Sequence, residues 1–276
     1  MQKKLLVAAL GTLFAMPVLA EDAPAAAAAA PAAAAAPAAA PAPVFTSNVG
    51  FVSNYIYRGM TQTGGKPTVQ GGFDYTPASG FYVGVWGSGI SWLGDAGISQ
   101  SGTEIDTYLG FRSSFATDFS YDVGFLRYNY PANYGTATSA DTNEVYGLIG
   151  YKWVTAKYSY STGNLFGATN TSGSGYFDLS ANYALGDSGY TLIGHYGKQN
   201  FSGSGATPAS TGQSLEYTDY KLAITKDISS WAKDLSGTTI GLTYTNTNTG
   251  SNANYVSAQG KKLGEGVAVL SVNRTF

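Results

Sequence analysis

The chain has 276 residues, of which 12% are charged, with 36 glycines, 21 tyrosines and no cysteine. Its formal net charge is −2; loss of Lys3 and Lys4 with a leader leaves 13 basic residues against 17 acidic ones, so no basic surface awaits nucleic acid, and the lack of thiols excludes a disulfide framework or a thiolate metal site. Charge this sparse is about half the usual share of roughly 25%, and polarity carried by Ser, Thr, Asn and Gly is not the surface of an ordinary soluble domain.

Lys3 and Lys4 precede an apolar run from Leu5 to Val18, and Val18-Leu19-Ala20 supplies compact residues at a cleavage position. This is the pattern of a secretory signal peptide over residues 1–20, cut after Ala20. The run is short for a bilayer-spanning helix of about 20 residues, and no stop-transfer charge follows it. Residues 21–43 are Ala/Pro low complexity, with prolines at 24, 31, 37, 41 and 43. Each proline in a helix interior costs about 3 kcal/mol, so a disordered, semi-extended periplasmic linker is expected there rather than a helix.

From Phe45 onward the chain alternates. Strands are expected at Phe45–Arg58, Thr68–Tyr75, Phe81–Ile90, Thr103–Ser113, Phe119–Tyr128, Asn143–Lys152, Val154–Tyr160, Ser174–Ala184, Tyr190–Lys198, Glu216–Lys226, Thr239–Asn246 and Gly264–Phe276. In the fourth, Ile105, Leu109 and Phe111 alternate with Glu104, Asp106 and Arg112; in the eighth, Phe177, Leu179 and Ala181 oppose Asp178, Ser180 and Asn182. Period two would suit a β-sandwich equally well. The links decide: those near 59–67, 91–102, 129–142, 161–173, 199–215 and 247–263 are long, and most of the others are short. A meander through a membrane gives that rhythm, with short periplasmic turns and long outer loops. The expected fold is therefore an all-β, up-and-down antiparallel transmembrane barrel over residues 44–276, of about 12 strands. The intermediate link Asp227–Thr238, with Ile228, Trp231 and Leu235 at helical spacing, is expected to hold a short amphipathic helix at the membrane surface. Tyr55, Tyr57, Trp86, Trp92, Tyr128, Tyr130, Trp153, Tyr158, Tyr160, Tyr183 and Tyr190 lie mostly near strand ends and are assigned to interfacial girdles.

The terminal segment ends on Phe276, with Ala268, Leu270 and Val272 in its register and Arg274 as a departure. It resembles the C-terminal signature by which bacterial outer-membrane proteins engage the β-barrel assembly machinery. Asn48 to Pro67, Gln70 to Tyr75, Gly80 to Trp86 and Glu216 to Asp227 together resemble the TorF-type porins, a proteobacterial group of conserved hypothetical outer-membrane proteins. That resemblance covers residues 45–276 and implies a pore without naming a solute; the Ala/Pro linker is not a feature it leads one to expect.

Enzyme motifs are weak. Gly64-Gly65-Lys66 lacks the glycine at 60 and the Ser or Thr at 67 that a phosphate loop needs. His195 has no motif that would supply it with a nucleophile, and no clustered ligands mark a metal site. No enzymatic activity and no cofactor are expected. The lumen face should carry Arg58, Asp74, Glu104, Asp106, Arg112, Asp122, Glu144, Lys152, Lys157, Asp178, His195, Asp219 and Lys221. These make a passive outer-membrane channel for small hydrophilic solutes or ions, weakly cation-preferring, the leading expectation, with outer-membrane lipid as its surroundings. A closed barrel acting through its long extracellular loops is the alternative, and an outer-membrane hydrolase comes last.

Overall fold

A computed structural model of the protein describes residues 44–276; the signal peptide and the Ala/Pro linker expected at 1–43 lie outside the described residues. The strands are β1 (Val44–Val52), β2 (Thr68–Thr76), β3 (Phe81–Gly89), β4 (Thr103–Ser114), β5 (Phe119–Asn129) and β6 (Thr142–Tyr151). They continue with β7 (Val154–Ser161), β8 (Gly175–Ala184), β9 (Tyr190–Asn200), β10 (Tyr217–Asp227), β11 (Thr238–Thr247) and β12 (Val267–Thr275). Each pairs antiparallel with its sequence neighbours, and β1 pairs with β12 through Asn48↔Thr275 to Val52↔Ser271, so the sheet closes into a 12-strand barrel with no free edge. Closure satisfies the backbone groups that an open edge would leave bare in lipid.

The alternation fixes which side is which. On β4, Glu104, Asp106 and Tyr108 are buried inside, while Ile105, Leu109 and their outward neighbours are exposed. Val69, Phe73, Leu222 and Leu270 are likewise bare on the outer wall. Water does not stabilise an apolar belt of this kind, and hydrocarbon does. The links 53–67, 90–102, 130–141, 162–174, 201–216 and 248–266 rise from one end of the barrel. The short turns, Val44 and Phe276 lie at the other.

All twelve strands fall where the sequence places them, but the first and last are shorter than expected and two of the links differ. The first strand stops at Val52 instead of running to Arg58. Asn54 Oδ1 accepts from Thr61 Oγ1 (2.6 Å), Thr63 Oγ1 (3.0 Å) and Gly65 N (3.2 Å), drawing the chain back on itself. A two-stranded hairpin, Ile56–Tyr57 against Met60–Thr61, then turns at Arg58 and Gly59, whose φ values of 45° and 75° are the pair that a tight hairpin turn demands. The last strand begins at Val267, three residues after Gly264, because 248–266 is taken up by its own turns and the bridge Val256↔Lys262. Residues 228–237 form no α-helix. They contain a single 3-10 turn at Lys233–Leu235, with Ile228 tucked in and Trp231 exposed. An unexpected helical turn, α1 (Trp92–Asp95), seats Leu93 in the lumen packing.

The girdle assignment divides. Trp153, Tyr158, Tyr160, Tyr183 and Tyr190 are exposed on the outer wall, but Tyr55, Tyr57, Trp86, Tyr128 and Tyr130 are buried inside, with Trp92 packed against them. Strand parity accounts for this: Trp86 shares the inward face of β3 with Tyr82 and Ser88, and Tyr128 that of β5 with Asp122 and Leu126. The inward tyrosines lie flat against glycines on the neighbouring strand. A Cβ at Gly84 would meet the Tyr108 ring, one at Gly110 the Tyr82 ring, and one at Gly124 the Tyr146 ring. This is why glycine and tyrosine are abundant together.

Candidate functional site in the barrel lumen

Inward-facing carboxylates and tyrosine hydroxyls form the inner wall. Tyr82 donates to Asp122 (2.6 Å) and also meets the Tyr146 hydroxyl; Tyr108 donates to Asp74 (2.7 Å). Arg112 donates to Thr76 (3.0 Å) and lies over the Tyr82 ring, while the Lys157 ammonium sits 4.6 Å from the centre of the Tyr146 ring. Such contacts hold cations against aromatic faces where water is scarce.

On the wall formed by β8, β9 and β10, His195 lies between two carboxylates, with Nδ1 3.2 Å from Asp178 and Nε2 2.8 Å from Asp219. Tyr176 donates to Asp219 (2.9 Å), and Ser180 Oγ donates to Asp178 (2.6 Å) while lying 3.1 Å from His195 Nδ1. Lys221, half-buried, shares the inward face of β10 with Asp219.

The loop 53–67 reaches into this space. At its tip Arg58, 1% exposed, donates to Glu144 through both terminal nitrogens (3.1 and 2.8 Å) and to Gln199 (2.9 Å), joining β6 to β9. Burial opposes its charge, but Glu144 beside it, with the hydroxyls of Tyr57 and Tyr128, holds the guanidinium well above its ordinary pKa. Tyr57 shares a hydrogen bond with Tyr128 (2.7 Å), and Tyr55 packs edge-on against Trp86. Tyr55 and Tyr130 both donate to Glu104 Oε1.

Twelve of the thirteen residues assigned to the lumen from sequence therefore face it, Arg58 from a loop instead of a strand. Lys152 does not. It occupies the tight turn between β6 and β7 with φ 52°, half-exposed and 3.8 Å from Asp118, because the strand ends one residue earlier at Tyr151. Sequence reasoning missed Tyr55, Tyr57, Tyr128, Tyr130, Tyr176 and Gln199 as lumen groups. For those on strands, parity with a neighbouring charge was the available signal. For Tyr55 and Tyr57 there was none, since it depends on the loop folding inward. Among the described residues no group of three His, Cys, Asp or Glu side chains is placed to hold a metal ion.

A family model described as "Bacterial protein of unknown function (Gcw_chp)" matches residues 35–276. None of the curated proteins matches the chain. Among solved structures, the KdgM porin in complex with disordered oligogalacturonate is similar at 9% identity and a TM-score of 0.47, over 84% of this chain and 99% of its own. OccAB3 of Acinetobacter baumannii is similar at 10% identity and a TM-score of 0.43, over 86% of this chain and 65% of its own. Likeness at this level says nothing about a solute.

Proposed function

For this chain, which belongs to the Gcw_chp family of bacterial proteins of unknown function, we propose the role of an outer-membrane, porin-like channel for small hydrophilic solutes or ions, occluded at rest by the loop 53–67. One observation carries the reading: the inner wall is charged and hydrogen-bonding, yet what fills it between β6 and β9 is a loop tip tied by side-chain bonds instead of sheet pairing. A barrel needing only mechanical stability is served by an apolar or fully paired filling, since buried ion pairs are weak stabilisers. The resemblance to TorF-type porins supports the same reading, as do the leader expected at 1–20 and a terminal strand of the kind that engages the assembly machinery. Carboxylates outnumber fixed cations on the wall, which favours weak cation preference.

The tight burial of Glu144, Tyr128 and Asp219 favours a second reading, a permanently closed barrel acting through its outer loops. This proposal gives the barrel no catalytic step. Ser180, His195 and Asp219 are in hydrogen-bond sequence, but the Ser180 hydroxyl lies nearer the Asp178 carboxylate (2.6 Å) than the imidazole that would have to take its proton (3.1 Å). Planar-bilayer recording of the refolded protein tests the proposal. Discrete conductance steps support the channel; silence from both the wild type and Arg58→Ala transfers the case to the closed barrel.

A further inference from the structure

Glu104 and Asp106 stand two residues apart on β4, so both side chains point into the same part of the lumen. Glu104 is 1% exposed and Asp106 is 0% exposed. Oε1 of Glu104 accepts from Tyr55 (3.5 Å) and Tyr130 (3.3 Å), whereas its Oε2 and both oxygens of Asp106 have no hydrogen-bond donor. No ion pair reaches either carboxylate among the described residues, and the Arg58 guanidinium is held by Glu144. Buried charges persist where they are paired or bind a cation, and three buried carboxylate oxygens without a donor meet neither condition from the protein alone.

We propose that Glu104 and Asp106 form a binding site for a divalent cation of the calcium class, with Oε2 of Glu104 and the Asp106 carboxylate as its protein ligands. The charge follows from the balance: Glu144 is already neutralised by Arg58, leaving two carboxylates for one doubly charged ion. The class follows from the donors, which are oxygens throughout and so suit a hard cation that retains water for its remaining positions. Tyr55 and Tyr130 both donate to Oε1 and leave the other three oxygens to the ion. The site also ties two loops together, since Tyr55 belongs to 53–67 and Tyr130 opens 130–141. Each of these tyrosines has a tryptophan beside it: Trp86 lies 5.6 Å from Tyr55 and Trp92 5.4 Å from Tyr130, ring centre to ring centre.

Those tryptophans make binding observable, and the site does not require the barrel to conduct. The full chain, refolded in detergent and stripped with EDTA, is titrated with CaCl2 and MgCl2 against choline chloride at matched ionic strength, following tryptophan fluorescence and Tm. The expected result is a saturable fluorescence change with Ca2+ and a Tm rise of roughly 5–10 °C at about 100 times Kd. Glu104→Gln/Asp106→Asn should fold, match or exceed the stripped wild type in Tm, and lose the response; Asp106→Asn alone serves if the double variant does not fold. A wild type indifferent to both divalent cations would overturn the proposal, as would a variant that responds as strongly as the wild type. So would a stripped wild type that gains its stability on acidification to pH 5 and none from Ca2+, which would show that a shared proton holds the pair. Conductance is read separately, so a silent bilayer counts against the channel and leaves the cation site standing.

Discussion

Tyr108 and Leu109 are adjacent in β4 and meet opposite surroundings: Tyr108 is 2% exposed under its bond to Asp74, and Leu109 is 55% exposed on the outer wall. Leu109→Arg should therefore cost about 2–4 kcal/mol in lipid, while Tyr108→Arg should change the lumen with a smaller loss of stability. Urea unfolding of the two variants in phospholipid vesicles measures the difference, and a reversed order would mean that the facing is shifted by one residue. At this scale the sequence was legible, because a period of two assigns a side to every residue once one strand is anchored by its charges. What it left hidden was partnership across strands. That Tyr82 would cover Gly110 follows from the pairing Tyr82↔Gly110, which alternation within a single strand does not contain. Gly110→Val puts methyl groups where that ring lies and should destabilise by about 1–3 kcal/mol through overpacking. The same unfolding assay reads it, and a neutral result would show that the ring moves aside at no cost.

Strand 12 and the loop 53–67 show what was and was not legible at the scale of elements. The spacing of Ala268, Leu270 and Val272 puts them on one face, which points outward, with Arg274 stacked over the Phe276 ring at the rim. Because β12 closes the barrel against both β1 and β11, deleting Val267–Phe276 leaves two strands with an unpaired edge. In lipid each orphaned backbone group costs several kcal/mol. The truncated chain should lose heat-modifiable migration on gels, and normal insertion would sink the closure argument. The loop misled for a physical reason: Tyr55 and Tyr57 continue the strand's alternation, and the signal for leaving the sheet is Asn54, whose three bonds reach residues 61, 63 and 65. Arg58→Ala removes the tie to both β6 and β9 and strands Glu144 as a buried bare charge, a change of about 3–5 kcal/mol against the occluded arrangement. Bilayer recordings should show longer open times in this variant than in the wild type; equal gating would show that the loop is not the obstruction.

The whole barrel was legible because the rhythm of long and short links excludes most other arrangements of twelve alternating segments. Its electrostatics were nearly so, and the one error changes a number. With Lys152 in a turn, the inward set is Asp74, Glu104, Asp106, Asp122, Glu144, Asp178 and Asp219 against Arg58, Arg112, Lys157 and Lys221, seven carboxylates to four fixed cations. An open lumen is then more negative than alternation with Lys152 included would make it, and cations should pass better than anions. The preference stays modest. Arg58 and Glu144 cancel locally, His195 and the tyrosines share the Asp178 and Asp219 charges, and salt screens beyond about 10 Å at 0.1 M. Glu104 and Asp106 are the pair that no cation of the protein offsets, so they should carry a disproportionate part of the field. Glu104→Gln/Asp106→Asn leaves five carboxylates against four cations. In a KCl gradient with EDTA present, the reversal potential of this variant should move most of the way from the wild-type cation side toward zero. A wild-type channel with clear anion preference would overturn the charge assignment, and an unchanged potential in the variant would mean that the conducting path runs along a different face of the lumen, past Asp178 and Asp219.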